Sequence, residues 1–311
     1  EIGPGSASGG GISNSTGNSS NPSLAIGLDG APIVAWADVS SGNVQIYVRR
    51  WNGSAWVEMG GGSASGGGIS NDAGSSYSPS LAVSPGGAPI VAWYDISGSP
   101  GHLEIYVRRW IGSGWKEMGS EASGGGISNS TGNSSNPSLA IDHDGAPIVA
   151  WDYNSESNQD IYVRRWNGAA WVEMGSGSAS GGGISNSVGT ALSPSLAIGP
   201  DGAPIVAWSN FSSSGNQEIY MRRWNGLGWK EMGSEASGGG ISNNAGNSSW
   251  PSLAIGPDGT LIVAWQDDSS GNQEIYARRW NGSAWVEMGA GSASGGGISN
   301  NAGDSLLPSL A

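Results

Sequence analysis

No cysteine occurs in these 311 residues, phenylalanine appears once and histidine twice. The first absence excludes disulfides and thiolate metal sites, and it fits a secreted protein of bacterial type. Basic residues are scarce as well: twelve Lys and Arg stand against 25 Asp and Glu, for a net charge of −13. Ten of the twelve form five pairs, Arg49/Arg50, Arg108/Arg109, Arg164/Arg165, Arg222/Arg223 and Arg278/Arg279, and the other two are Lys116 and Lys230. A chain without a basic patch is not expected to bind nucleic acid or an anionic membrane surface. No apolar run approaches the roughly 20 residues that span a bilayer, so no membrane insertion is expected. No segment shows a 3.6-residue apolar period, so no significant helix is expected. His102 and His143 fall in different loops and no Asp-x-Asp-x-Asp-Gly spacing occurs, which leaves no metal or cofactor to expect.

What the chain has in abundance is glycine (56) and tryptophan (16), arranged with a fixed period. The tetrad Pro-Ser-Leu-Ala begins at Pro22, Pro79, Pro137, Pro194, Pro251 and Pro308, so successive copies are 57 or 58 residues apart. Such a period announces a repeat architecture. Each repeat offers two hairpins. The first joins Leu24–Ile26 to Pro32–Trp36 through Gly27-Leu28-Asp29-Gly30, which reads Gly-Pro-Asp-Gly at 199–202 and 256–259, a turn with the fixed and the positive torsion it needs. The run Ile-Val-Ala-Trp that follows suits a strand buried on both faces. The second hairpin joins Gln45–Trp51 to Ala55–Met59 through Asn52-Gly53, the strongest short hairpin signal. Alternation places Ile46, Val48 and Arg50 on one face and Tyr47, Arg49 and Trp51 on the other, with guanidinium stacking on an aromatic ring expected within the repeat.

Between repeats runs a Gly/Ser segment such as 62–71, which always ends Ile-Ser-Asn, at Ile12, Ile69, Ile127, Ile184, Ile241 and Ile298. One apolar anchor in such a segment points to an ordered loop or a bulged outer strand rather than a free linker. Four short strands per repeat and no helix indicate an all-β chain. The expected fold is a β-propeller of four-stranded antiparallel blades, five of them, with six as the alternative and a parallel β-solenoid as the competing architecture. The expectation is one propeller domain over residues 1–311: five repeats plus a partial sixth at 291–311. Because Glu1-Ile2-Gly3 aligns with Glu58-Met59-Gly60, the chain starts and ends within a repeat, as a processed region or fragment of a longer protein would. Trp250 replaces the Asn found at Asn21 and Asn136 and reads as a surface substitution.

The pattern Pro-Ser-Leu-Ala-x-x-x-x-Gly-x-x-Ile-Val-Ala-Trp-x-Asp, followed by Glu-Ile-Tyr-Val-Arg-Arg, resembles the repeats of sialidase-like propellers. Their Asp-box, Ser-x-Asp-x-Gly-x-Thr-Trp, would fall on Arg49–Trp56. Gly53 and Trp56 match it, while Arg49, Trp51 and Ala55 replace its Ser, Asp and Thr. The resemblance implies the blade type. For an active sialidase it would also imply an arginine triad, a tyrosine–glutamate pair and an acidic proton donor converging from different blades. An enzyme of that kind breaks its own symmetry, and these repeats differ little: Lys116 and Lys230 for Val, Glu121 and Glu235 in the linker, and varied loops beginning at Asp38, Asp95, Asp152, Asn210 and Asp267. No pair of carboxylates stands out as glycosidic cleavage requires.

No catalytic residue is therefore assigned, and the expected function is a non-catalytic, multivalent binding propeller of an extracellular protein, with a glycan or a protein as partner. Candidate ligand-binding residues recur once per repeat: Arg49, Arg108, Arg164, Arg222 and Arg278; Trp56, Trp115, Trp171, Trp229 and Trp285; Glu58, Glu117, Glu173, Glu231 and Glu287. A sugar would stack on the Trp while Arg and Glu fix its hydroxyls. The competing reading of these Arg residues is structural, a cross-strand pair with the Glu, worth roughly 0.2–1 kcal/mol. Trp36, Trp93, Trp151, Trp208 and Trp265 read as core wedges, and Trp51 and its counterparts as further stacking candidates. The alternative function is a structural module of a surface protein that self-associates through the terminal partial repeat, and a sialidase-type glycosidase is the third reading.

Overall fold

A computed structural model describes residues 1–3, 5–96, 101–119, 126–155, 158–186, 189–211, 215–233 and 239–311. Every described strand belongs to one of five four-stranded antiparallel sheets. In the first repeat they are β1 (Ser19–Ile26), β2 (Pro32–Asp38), β3 (Gln45–Trp51) and β4 (Trp56–Glu58), paired in that order. The same order recurs in β5–β8 (Ser76–Val83, Pro89–Asp95, Glu104–Trp110, Trp115–Glu117) and in β9–β12 (Asn133–Ile141, Pro147–Asn154, Gln159–Trp166, Trp171–Glu173). It recurs again in β13–β16 (Ala191–Ile198, Pro204–Phe211, Gln217–Trp224, Trp229–Glu231) and β17–β20 (Ser248–Ile255, Leu261–Asp267, Glu274–Trp280, Trp285–Glu287). By contact the chain divides into two compact units, Glu1–Val149 with Arg165–Val172, and Ala150–Arg164 with Glu173–Ala311.

The first turn forms as its residues dictate: Gly27 N–H donates to the Ala31 carbonyl (2.8 Å), Gly30 N–H to that of Gly27 (2.9 Å), and Gly30 supplies φ +78°. The second differs from expectation. Trp51 pairs with Trp56, so the outer strand starts one residue late and the loop has four residues, 52–55. The cause is the Asn52 side chain. Its Oδ1 accepts the Ser54 and Ala55 N–H groups (2.9 and 2.8 Å), diverting them from the ladder.

Both faces of β2 are buried, as the apolar run requires. One face (Ile33, Ala35, Ala37, with Ile46 and Val48 of β3) packs against Leu81, Val91, Trp93 and Tyr106 of the second repeat. In the second unit Ile205, Ala207, Ile219 and Met221 meet Leu253, Val263, Trp265 and Tyr276 in the same way. The tryptophans that end the second strand are buried, as the core-wedge reading requires. Each of them lies directly opposite a tyrosine of the third strand where the register is described, and Trp36 and Tyr47 stack with centroids 6.0 Å apart. In the third repeat Tyr153 takes that place, stacking on Tyr162 at 4.4 Å, and Trp151 turns edge-on.

The linker is an ordered loop that completes the sheet. The three-residue outer strand covers only Arg49–Trp51 of β3. Beyond it, Val48 N–H donates to the Ser63 carbonyl (2.7 Å) and Ile69 N–H to the Ile46 carbonyl (2.6 Å). Ile46 N–H in turn donates to Ser70 Oγ (2.9 Å), whose hydroxyl donates to Gln45 Oε1 (2.6 Å). This decodes Ile-Ser-Asn: the isoleucine enters the core at Ile69, Ile127, Ile184 and Ile241, the serine bridges strand to strand-end, and the asparagine adopts φ 41–44° in all six copies. The third glycine of Gly-Gly-Gly is obligatory, because a Cβ on Gly68 would lie 2.2 Å from the Ile46 carbonyl oxygen at φ +65°.

The place of Gln45 is taken by Glu104, Asp160, Glu218 and Glu274, each accepting the linker serine's hydroxyl. Burial, only partly opposed by the Ser242 hydroxyl, pushes Glu218 up to about 7. An acid raised in the folded state contributes stability that is complete below its unfolded value near 4.5 and is lost as pH climbs through about 7. Glu218→Gln, which copies the first repeat, should remove this slope. Thermal melts from pH 5 to 8 should show the variant gaining on the parent by on the order of 2 kcal/mol, and parallel curves would contradict the assignment.

Candidate functional site

The second hairpin meets the preceding linker through as many as three side chains. The indole N–H of Trp56 donates to the Ile2 carbonyl (2.9 Å), that of Trp115 to Met59 (2.9 Å), Trp171 to Met118 (2.9 Å), Trp229 to Met174 (3.0 Å) and Trp285 to Met232 (3.1 Å). The guanidinium of Arg49 donates to the Ile12 carbonyl (2.7 Å) and that of Arg278 to Ile241 (2.6 Å); Arg108 and Arg222 donate to Ile69 and Ile184. The rings of Trp51, Trp110 and Trp224 lie against Gly3, Gly60 and Gly175, where a Cβ would come within 2.3–2.9 Å of ring carbon.

These contacts frame a groove. In the first repeat it measures 380 Å³, bounded by linker residues Ser6, Ser8 and Asn14 and by Arg49, Trp51 and Trp56. A groove of 470 Å³ occupies the equivalent place in the second unit, between linker 174–186 and Arg222, Trp224 and Trp229. The two tryptophans face each other across the hairpin, tilted by 58° in both repeats with centroids 5.9 Å apart. The wall is thus aromatic, and the rest is hydroxyl, amide and glycine backbone.

The glutamates stand apart from these grooves. Glu58 accepts the Ala64 and Gly62 N–H groups of its own linker (3.1 and 3.3 Å), and Glu173 and Glu287 do the same. Burial works against the Glu58 charge, but the Ser65 hydroxyl and those two N–H groups outweigh it and hold the carboxyl below its usual value. Glu117 and Glu231 instead pair with Arg108 (3.0 Å) and Arg222 (3.4 Å). The cross-strand Arg–Glu ion pair is therefore formed in the two repeats that carry Lys116 and Lys230. Arg164 sits beside Glu173 and helps lower its carboxyl. The expected guanidinium–ring stacking is seen for Arg108 over Trp93, at 5.9 Å.

In three of the five pairs the second arginine has an ion-pair partner that sequence reasoning missed. Arg50 and Arg223 bond Asp29 and Asp201 of the first turn, and Arg165 bonds Asp142 (2.6 Å) and Asp144 (3.4 Å). The signal was available, since the turn carries an aspartate wherever these pairs form. The aspartate after the buried tryptophan, read as loop chemistry, is an anchor: buried Asp38 accepts the Ser15 and Ser19 hydroxyls (2.5 Å each), and Asp267 accepts Ser248 (2.5 Å) and Asn244 (2.6 Å). Blade-to-blade variation at 97–100, 156–157 and 212–214, and Glu121 and Glu235, lie outside the described residues. Among the described residues no group of three His, Asp or Glu could hold a metal ion.

No family model matches the chain, and no curated protein matches it in sequence. Solved structures do. A protein of unknown function from Dyadobacter fermentans superposes with a TM-score of 0.56 at 13% identity, over 86% of this chain and 80% of the other. An α-L-arabinofuranosidase of family GH93 from Fusarium graminearum, in complex with arabinobiose, gives 0.54 at 14%, over 94% and 83%. The Hadza microbial sialidase Hz136 gives 0.54 at 14%, over 87% of this chain and 58% of the other. The fold is a β-propeller. Its five described sheets are four-stranded blades, and at these identities the likeness concerns the fold alone.

The glycine–indole contact yields a paired test. Gly60→Ala forces a Cβ to 2.9 Å from the Trp110 ring at φ +89°, whereas Gly61 has nothing within 4 Å and ordinary backbone. Urea unfolding should show Gly60→Ala losing on the order of 2 kcal/mol and Gly61→Ala staying within about 0.5 kcal/mol. Equal effects would remove the contact from the interface.

Proposed function

We propose that this propeller is a non-catalytic, multivalent glycan-binding module that works outside the cell, with the Trp51–Trp56 groove and its counterparts as the sugar sites. The observation that carries the reading is the recurrence of one groove, with the same aromatic wall, in both units. A pyranose has an apolar face of C–H groups and a rim of hydroxyls, which match a tilted indole pair bordered by serine, asparagine and glycine amides. The Arg49 class contributes through whatever donors its carbonyl bond leaves over. Glu58, Glu173 and Glu287 organise the linker, Glu117 and Glu231 pair with arginine, and no glutamate lines either groove, which narrows the site to tryptophan, linker and arginine. The fold neighbours include a protein whose structure was solved with arabinobiose bound.

Neutral sugars are favoured over sulfated or carboxylated ones, because the whole chain carries −13. Individual sites of this openness bind weakly, and several equivalent sites convert weak contacts into avidity. Hydrolysis is disfavoured by symmetry: the grooves are alike and hold no carboxylate pair.

The test is a neutral-glycan array followed by titration of tryptophan fluorescence with the sugars retained. Trp51→Ala and Trp224→Ala should each lower apparent surface affinity several-fold, and together by about tenfold or more, with soluble monovalent affinity per remaining site unchanged. Absence of any retained sugar at high protein density, with no fluorescence change at millimolar sugar, would rule the reading out.

A further inference from the structure

The two grooves are built from the same linker sequence: Gly5–Asn14 in the first repeat and Gly177–Asn186 in the fourth match residue for residue. Each also carries the same arginine and tryptophan pair. On the hairpin side they differ in two lining residues at the tip, Ser54 and Ala55 in the first repeat, Leu227 and Gly228 in the fourth. Ser113, Ala169 and Ser283 hold the place of Leu227 in the other repeats, so the leucine is the exception.

The tip keeps one backbone in both. Asn225 Oδ1 accepts the Leu227 and Gly228 N–H groups (3.0 and 2.9 Å), as Asn52 Oδ1 accepts those of Ser54 and Ala55. Gly226 and Gly53 share a positive φ, +90° and +96°. The third tip residue is therefore carried to the same place beside the tryptophan pair, and only its chemistry changes. Ser54 Oγ donates to Asn52 Oδ1 (3.0 Å), which leaves its oxygen lone pairs to accept from a ligand hydroxyl. Leu227 is 91% exposed, the most exposed large apolar side chain among the described residues, and buries almost nothing in the fold. A hydroxyl pressed against it would leave water without a replacement partner, whereas a methyl group would bury apolar surface on both sides. Gly228 removes the methyl group that Ala55 places beside this position, and the groove measures 470 Å³ against 380 Å³.

We propose that the fourth-repeat groove selects 6-deoxy sugars, pyranoses that carry a methyl group where the first-repeat groove takes a hydroxyl, and that Leu227 determines this specificity. C6 is the exocyclic carbon, the position that extends beyond a ring stacked on the indoles. This rests on the grooves being sugar sites, and it adds that they are unequal: a common aromatic and linker wall holds the ring, and the tip residue sorts the substituent.

The experiment is an NMR titration of the 311-residue chain with three matched pairs of sugars, glucose, galactose and mannose, each against its 6-deoxy form. The Leu227 methyl signals, assigned by their loss in Leu227→Ser, report the fourth-repeat groove. The Trp51 and Trp224 indole signals, assigned by their loss in Trp51→Phe and Trp224→Phe, report the first and fourth. In at least one pair the 6-deoxy form should bind the fourth-repeat groove about fivefold more tightly than its parent. The first-repeat groove should show no such gain. Leu227→Ser, followed at Trp224, should bring the ratio to about one, and Ser54→Leu should confer the preference on the first groove, followed at Trp51. Both positions are exposed, so neither substitution disturbs packing. Equal affinities within every pair, or a preference that survives Leu227→Ser, would overturn the proposal and leave the grooves standing as sugar sites. No shift of any of these signals with any of the six sugars would overturn it together with the reading on which it rests.

Discussion

The outward edge of each third strand is the constraint on which the rest depends. A sheet edge of this kind exposes backbone groups that template aggregation unless they are covered. The outer strand covers three residues of it, and the linker covers the remainder through its own N–H and carbonyl groups and one serine hydroxyl. That single solution fixes much else. It places the isoleucine in the core, requires glycine where the loop passes over the strand's carbonyl, and puts the asparagine in left-handed backbone. It also turns the linker's remaining carbonyls outward, where the next repeat's tryptophan and arginine find them.

The side chains most suggestive of chemistry are therefore structural first. Indole and guanidinium hold the preceding linker, glutamate holds the following one in three repeats, and in three the second arginine ties the third strand to the first turn. A groove survives between them because the glycine-rich loop stands away from the aromatic pair. The grooves described in the two units carry the same tilted aromatic pair because each is built by the same hairpin and linker.

Much of the architecture was legible. The tetrad spacing gave the repeat, the apolar run Ile33–Trp36 gave a strand buried on both faces, and Asp29-Gly30 gave the first turn. The second hairpin was placed one residue early because an asparagine side chain can take over N–H groups that a pattern assigns to the ladder. The site was legible as a set of residue types but not as a set of partners. Arg49 was weighed against Glu58, its cross-strand neighbour, because strand alternation reports only neighbours within a sheet. Its bond to Ile12 lies 37 residues away, in the previous linker. Asp38 was read as turn chemistry for the same reason, since its burial depends on serines that approach from the linker and the bulged first strand.

Amide hydrogen exchange tests the edge-covering linker most directly. The N–H groups of Ile46, Val48, Ile161, Val163, Ile219, Ile275 and Ala277 point away from the second strand and find their partners in the linker. If the linker is an integral part of each sheet, these amides exchange as slowly as those between the second and third strands. Exchange at the rate of exposed loops, with the inner ladder still protected, would show the linker to be merely lying alongside the blades.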